Sequence, residues 1–178
     1  MRHDWTMAYA HILDVEGGWF NHPRDPGGAT NLGITQKTYS RWWGRETTQD
    51  ELRALTPEGA EPIYREYYAQ PVWFDIQPGG ADIMLFDFSV HAGWPRAIRM
   101  AQHVAQTKVD GILGPNTMSA IRHMSPVDFI EQFHQRKMKF YRRLGTWDVF
   151  GRGFTNRANK AKRVALNAID DCVVESGV

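Results

Sequence analysis

A single cysteine, Cys172, stands among the 178 residues. No internal disulfide can form, and the chain is compatible with synthesis in a reducing cytoplasm. Long apolar runs are missing as well: no stretch approaches the ~18 consecutive apolar residues of a membrane-spanning helix. The N-terminal MRHDWTMAYAHILDVEGG carries charges among its apolar residues and lacks a small-residue cleavage site, which argues against a secretory signal. Neither HExxH nor cysteines at zinc spacing occur, and the seven histidines are scattered. This speaks against a metal-dependent peptidase or amidase, and no metal or cofactor is expected. A glycine-rich phosphate loop, internal repeats and low-complexity linkers are also missing.

What is present suits one compact unit with a full core: 42% apolar and 23% charged residues are ordinary for a globular chain of this length. Charge is unevenly spread. Residues 1–94 hold 7 Lys/Arg against 13 Asp/Glu, and residues 95–178 hold 14 against 7. The second half predicts a basic face built from Arg136, Lys137, Lys139, Arg142, Arg143, Arg157, Lys160, Lys162 and Arg163, able to meet an anionic polymer or envelope.

The pattern is mostly helical. Asp4 is a candidate N-cap for a helix over Trp5–Glu16, with Ala8, Ile12 and Val15 on one face and Gly17 as its left-handed stop. Residues 18–34 lose the helical period, and Asp25-Pro26-Gly27-Gly28 reads as a turn within a small hairpin region. Thr35 caps a second helix ending near Gly44, and Thr48 with Glu51 forms a capping box for a short helix through Leu55. A helix opens at Pro57, is bent at Pro62 and stops at Pro71. Further helices are expected at 80–92, 96–106, 115–123, 126–144 and 153–173. The last carries a small-residue stripe, Ala158, Ala161, Ala165, Ala168 and Cys172. A seam falls near Ala92-Gly93-Trp94-Pro95, dividing the chain into 1–94 and 95–178, two lobes packed in one fold.

Chemistry concentrates at residues 14–35, DVEGGWFNHPRDPGGATNLGIT. A carboxylate in the last turn of a helix faces unpaired carbonyls, so the ionised form of Glu16 is disfavoured, the condition a general acid needs near neutral pH. Asp25 and Thr30 follow by nine and fourteen positions, and the Gly and Pro residues between can turn the chain back, so that all three side chains line one wall of a cleft. Two carboxyls flanking a bond are the working parts of glycoside hydrolysis.

The stretch E-G-G-W-F-N-H-P-R-D-P-G-G-A-T-N-L-G-I-T resembles the N-terminal signature of glycoside hydrolase family 108, lysozyme-like muramidases of phage endolysins and of bacterial secreted or effector proteins. The resemblance implies that Glu16 is the catalytic acid and that Glu16, Asp25 and Thr30 correspond to the Glu, Asp, Thr set of the phage-type lysozyme fold, where the Thr stands one residue further from the Asp. I-Y-R-E-Y-Y-A-Q-P-V-W at 63–73 is similar to the family's tyrosine-rich helix. F-D-F-S-V-H-A-G at 86–93 is similar to its Phe-Asp-x-x-Val-Asn-x-Gly segment, with His91 in place of Asn. V-D-G-I-L-G-P-N-T at 109–117 and F-G-R-G-F-T-N-R at 150–157 resemble the predicted peptidoglycan-binding segment that accompanies the family. The expected fold is mainly α, an α+β lysozyme-like arrangement with a small β-hairpin region after the first helix.

The expected substrate is the β-1,4 N-acetylmuramic acid–N-acetylglucosamine bond of peptidoglycan glycan strands. Trp19, Asn31, Tyr64 and His91 are the candidate substrate contacts, and Trp19 beside Glu16 also suits desolvation of the acid. Aromatic residues at helical spacing, Trp42, Trp43, Tyr64, Tyr67, Tyr68 and Trp73, suit either sugar stacking or the core. The chain is expected to be a monomer with no nucleic-acid partner, made in a host cytoplasm and acting on the cell wall after release. Two rivals are a non-catalytic glycan or nucleic-acid binder, which has no need of Glu16, and a lytic transglycosylase, which has less need of a water-positioning Asp25 and Thr30.

Overall fold

The computed structural model describes residues 2–21 and 28–175, with side chains over 5–21 and 28–169. The Asp25 turn and the packing of Cys172 lie outside the described residues, and Asp4, expected as an N-cap, lies within the first helix, which starts three residues before the expected Trp5. The first helix, α1 (Arg2–Glu16), buries Trp5, Ala8, Tyr9 and Ile12, an i, i+3, i+4, i+7 stripe. Its aromatic end is locked from three sides: Trp5 stacks on Tyr9 at 5.5 Å and meets Phe74 at 5.4 Å and Phe86 at 5.2 Å.

A two-stranded antiparallel hairpin follows, β1 (Thr30–Asn31) and β2 (Ile34–Thr35), in the register Thr30 with Thr35 and Asn31 with Ile34. Its two-residue turn places Leu32 at φ 48° and Gly33 at φ 75°, the double positive φ of a type I′ turn that twists with the strands. Phe20 and Thr30 exchange backbone hydrogen bonds of 2.8 Å, pulling the chain after α1 alongside β1. Then come α2 (Gln36–Trp43), capped by Thr35, and α3 (Gln49–Arg53), opened by the expected Thr48–Glu51 capping box.

The helix expected over residues 57–71 divides. The segment α4 (Pro57–Tyr64) passes into a π-helical turn at Arg65–Ala69 and 3₁₀ turns at Gln70–Val72 and Phe74–Ile76. Pro62 deletes a backbone donor within α4 and Pro71 another shortly after, so the i→i−4 ladder has no uninterrupted run there.

The remaining helices are α5 (Ala81–Ala92), α6 (Trp94–Val104), α7 (Pro115–His123), α8 (Pro126–Tyr141) and α9 (Trp147–Glu175). Every residue from Ala81 to Ser89 is buried, so α5 is the central rod of the molecule. Helices α1, α6, α8 and α9 pack around it. The small side chains Ala158, Ala161, Ala165 and Ala168 are buried on α9, which lets that helix lie close to its neighbours. α9 begins six residues before the expected start. Gly151 is the reason: a Cβ there would sit 2.9 Å from the Trp147 ring, so the bare backbone admits an indole one turn earlier and the helix runs through both glycines.

Candidate active site

Glu16 is the last residue of α1, and Gly17 at φ 77° turns the chain away so that the carboxyl projects past the helix end. The hairpin turn closes over it. A Cβ on Gly33 would lie 2.7 and 2.8 Å from Glu16 Cβ and Cγ and 2.5 Å from Tyr64 Oη. Only a glycine lets the turn come this near while also holding positive φ. The buried Tyr64 hydroxyl donates to the Leu32 carbonyl at 2.6 Å, fixing α4 to the turn that covers Glu16. Desolvation, with the Glu16 charge next, raises the Tyr64 pKa well above the usual phenol range, so this hydroxyl stays a donor. The same two causes raise Tyr68.

From the opposite side comes Arg157 of α9, whose Nη1 donates to Glu16 Oε1 at 2.5 Å. The Glu16 side chain is 19% exposed and that of Arg157 9%, so water screens this pair only in part. Two fields therefore act on the carboxyl. One is the partial negative charge of the unpaired carbonyls at the end of α1, and the other is the positive charge of the guanidinium.

Arg157 is itself held from below. Its Nε donates to Asp87 Oδ1 at 3.0 Å, and Lys137 of α8 donates to Asp87 Oδ2. The imidazole of His11 brings Nε2 to 3.0 Å from Oδ1. Asp87 and Lys137 are fully buried. Burial alone would raise the Asp87 pKa, but Lys137, Arg157 and then the His11 hydrogen bond hold it far below the carboxylate range. Burial draws the Lys137 ammonium below its usual value, with Asp87 opposing. For Arg157 burial is outweighed by Asp87 and Glu16, which raise it. The result is a chain of alternating charge, Lys137, Asp87, Arg157, Glu16, from core to surface.

The sequence-derived candidates fall into different places. Thr30 lies in β1 on the hairpin whose turn covers Glu16. Asp25 is outside the described residues. Trp19 is half-buried, with the Arg53 guanidinium 5.6 Å from its ring centre. The Asn31 side chain is buried and its amide donates to the carbonyls of Leu52, Arg53 and Leu55 at 3.0 to 3.2 Å, which ties the hairpin to α3. Tyr64 is buried beneath the turn. His91 stands edge-on to Tyr141 at 5.1 Å and Phe154 at 5.5 Å, where desolvation lowers its pKa to about 4, leaving a neutral ring at neutral pH.

The basic face needs correction. Lys137 and Arg157 are buried in the Asp87 network, Lys160 pairs with Asp14 and Lys162 with Glu131 at 2.5 Å. Sequence reasoning missed His11, Asp87, Lys137 and Arg157 as parts of the site. A signal existed for two of them: Asp87 interrupts the apolar run Ile83–Phe88, and Lys137 stands four residues from both Phe133 and Tyr141 on the apolar face of α8. Among the described residues no three His, Cys, Asp or Glu side chains are gathered as metal ligands.

Known proteins give the same bearing. The model of the family described as Glycosyl hydrolase 108 matches residues 9–93, the stretch holding Glu16, the hairpin and Asp87. No curated protein matches the chain. The solved structure of Brucella abortus SagA is similar at 38% identity, covering 94% of this chain and 97% of that one, with a TM-score of 0.85. This likeness extends through α6–α9, well past the family stretch. With a mostly helical fold and one small antiparallel sheet, the chain belongs to glycosyl hydrolase family 108, and its general activity is that of a muramidase-type glycoside hydrolase of peptidoglycan.

Proposed function

We propose that the chain is an N-acetylmuramidase that hydrolyses the β-1,4 bond between N-acetylmuramic acid and N-acetylglucosamine, with Glu16 as the proton donor. The observation carrying this reading is the housing of Glu16: one carboxyl at a helix end, walled by Gly33 and Tyr64 and gripped at Oε1 by Arg157. The grip on Oε1 leaves Oε2 as the oxygen that carries and delivers the proton. As the proton passes to the glycosidic oxygen, the C1–O bond breaks and negative charge appears on Glu16. Arg157 already sits where that charge develops, and a preorganised cation stabilises it without rearrangement. Asp25 serves the other face of the sugar, activating water or stabilising the positive C1 centre, and Thr30 assists. Water adds its oxygen to C1 and a new reducing end results: with Asp25 as base the water proton passes to Asp25 and Glu16 is reprotonated from solvent, and with Asp25 as nucleophile water displaces its ester and Glu16 takes the proton back.

In the cell this activity is that of an endolysin: the chain acts as a monomer and breaks down the wall after release from its site of synthesis. Its general attraction to an anionic envelope comes from the basic second half.

Glu16→Gln tests the assignment, because the amide keeps the shape and cannot donate the proton. Clearing of purified peptidoglycan should drop about a hundredfold or more with unchanged circular dichroism; retained clearing would sink the mechanism. Mass spectrometry of fragments released by the native chain should show reducing ends, whereas anhydro ends would mark a lytic transglycosylase. The anomer first released, read by NMR, tells whether Asp25 acts as base or as nucleophile.

A further inference from the structure

Between α6 and α8 runs an open groove of about 310 Å³. From α6 it is lined by Arg96, Met100 and His103, from α8 by Arg136, Lys139 and Phe140, and from the turn after α8 by Arg143. Spacings of three, four and seven residues put the α6 set on one helix face, and spacings of three and four do the same for the three residues of α8. Residues 95–109 and 132–147 contain no Asp or Glu, so neither groove wall offers a carboxylate beside its cations.

Some surface cations elsewhere are paired with carboxylates: Arg45 with Glu51, Arg65 with Glu61, Lys160 with Asp14, Lys162 with Glu131. Among the described residues, Arg96, Arg136, Lys139 and Arg143 form no ion pair. Like charges three and four residues apart on one helix repel, so the fold carries a local repulsion that an anion would relieve. Phe140 and the buried Met100 form an apolar floor. The Arg96 guanidinium is steadied over it, 5.2 Å from the Phe140 ring centre, and donates to the Ala92 carbonyl at 2.8 Å.

Arginine forks match the paired oxygens of phosphate. The lined part of α6, Arg96 to His103, is about 10 Å long at 1.5 Å per residue, enough for one or two phosphate groups and short for a lengthy polymer. We propose that the α6–α8 groove binds the phosphate headgroups of an anionic lipid bilayer. Neither Glu16 nor any hairpin residue is among its lining residues, so the groove is separate from the Glu16 site. Each Lys or Arg brought to such a surface strengthens partitioning about fivefold, and salt weakens the effect.

The test is co-sedimentation of the full chain with vesicles of phosphatidylglycerol and phosphatidylcholine in equal parts, and with phosphatidylcholine alone. It reads binding and not cleavage, so its outcome is separable from that of the muramidase reading. The groove variant is Arg136→Glu/Arg143→Glu. Its charge-matched control is Lys108→Glu/Arg122→Glu, at exposed positions outside the groove, and thermal unfolding checks both. If the reversal does not fold, Arg136→Gln/Arg143→Gln replaces it. The native chain should sediment with the anionic vesicles only, the groove variant should lose at least about tenfold in affinity, and the control should stay within about twofold of native. Equal loss in groove variant and control would reduce the effect to net charge and overturn the proposal. So would failure to bind anionic vesicles, or groove-dependent binding of inorganic polyphosphate or duplex DNA without vesicle binding.

Discussion

Two residues, Gly33 beside Glu16 and His91 beside Tyr141, carry more than their sequence context suggests. Gly33 combines positive φ with a gap filled by Glu16 and Tyr64, so Gly33→Ala meets both a conformational and a steric barrier. A loss of about 1–3 kcal/mol is expected, and activity should fall further than stability because the displaced neighbour is Glu16; urea titration and peptidoglycan clearing on the same preparation check this. His91 is the other. Its pKa falls from 6.5 to about 4 in the folded chain, so the unfolded chain takes up this proton first as pH drops. The stability it supports is whole above about pH 6.5 and is lost between there and about pH 4. Because the ring is partly solvated, about 2 kcal/mol is expected over that window. Urea midpoints at pH 7 and 4.5 should differ less in His91→Asn than in the native chain, since asparagine does not titrate. The family resemblance offers His91 as a substrate contact; the structure seats its ring against Tyr141 and Phe154, a contact between α5, α8 and α9 that no local pattern encodes.

Helix α5 brings Asp87 to the centre of the molecule, and α1, α8 and α9 each answer it with one basic side chain. Taking one member from such a buried set leaves the others uncompensated, which costs more than the set contributes as a whole. Asp87→Asn should therefore lose about 3–5 kcal/mol and also free Arg157 from its anchor, lowering activity. Asp87→Asn combined with Lys137→Met should recover part of the stability and none of the activity, because the double change removes a buried cation without restoring the hold on Arg157. Chemical denaturation separates the two effects from clearing assays. The helices themselves were legible: caps at Thr35 and Thr48, prolines at helix starts and apolar spacing located nearly all of them. The π-turn at Arg65–Ala69 and the early start of α9 were not, since both depend on how a backbone is fitted to neighbours and not on propensity.

At the scale of the whole molecule, the boundary near residue 94 divides charge and resemblance but not the site. The stretch 1–94 supplies Glu16, the hairpin and Asp87, while α8 and α9 supply Lys137 and Arg157. We expect the fragment 1–94 to be unfolded by circular dichroism and inactive, with α5 left without α6, α8 and α9; a folded, active fragment would show the second half to be a separable binding module. The sequence by itself determined the helical class and the hairpin after the first helix and singled out Glu16 as the proposed acid, because caps, glycine stops, period and a contiguous motif are written within a few residues of one another. Only the tertiary structure decided which basic residues face solvent and which are buried. Lys137 and Lys139 are two positions apart on one helix, yet one is enclosed with Asp87 and the other lines an open groove. That outcome depends on which helix packs against which face, and it is what turned Arg157 from a surface charge into the partner of Glu16.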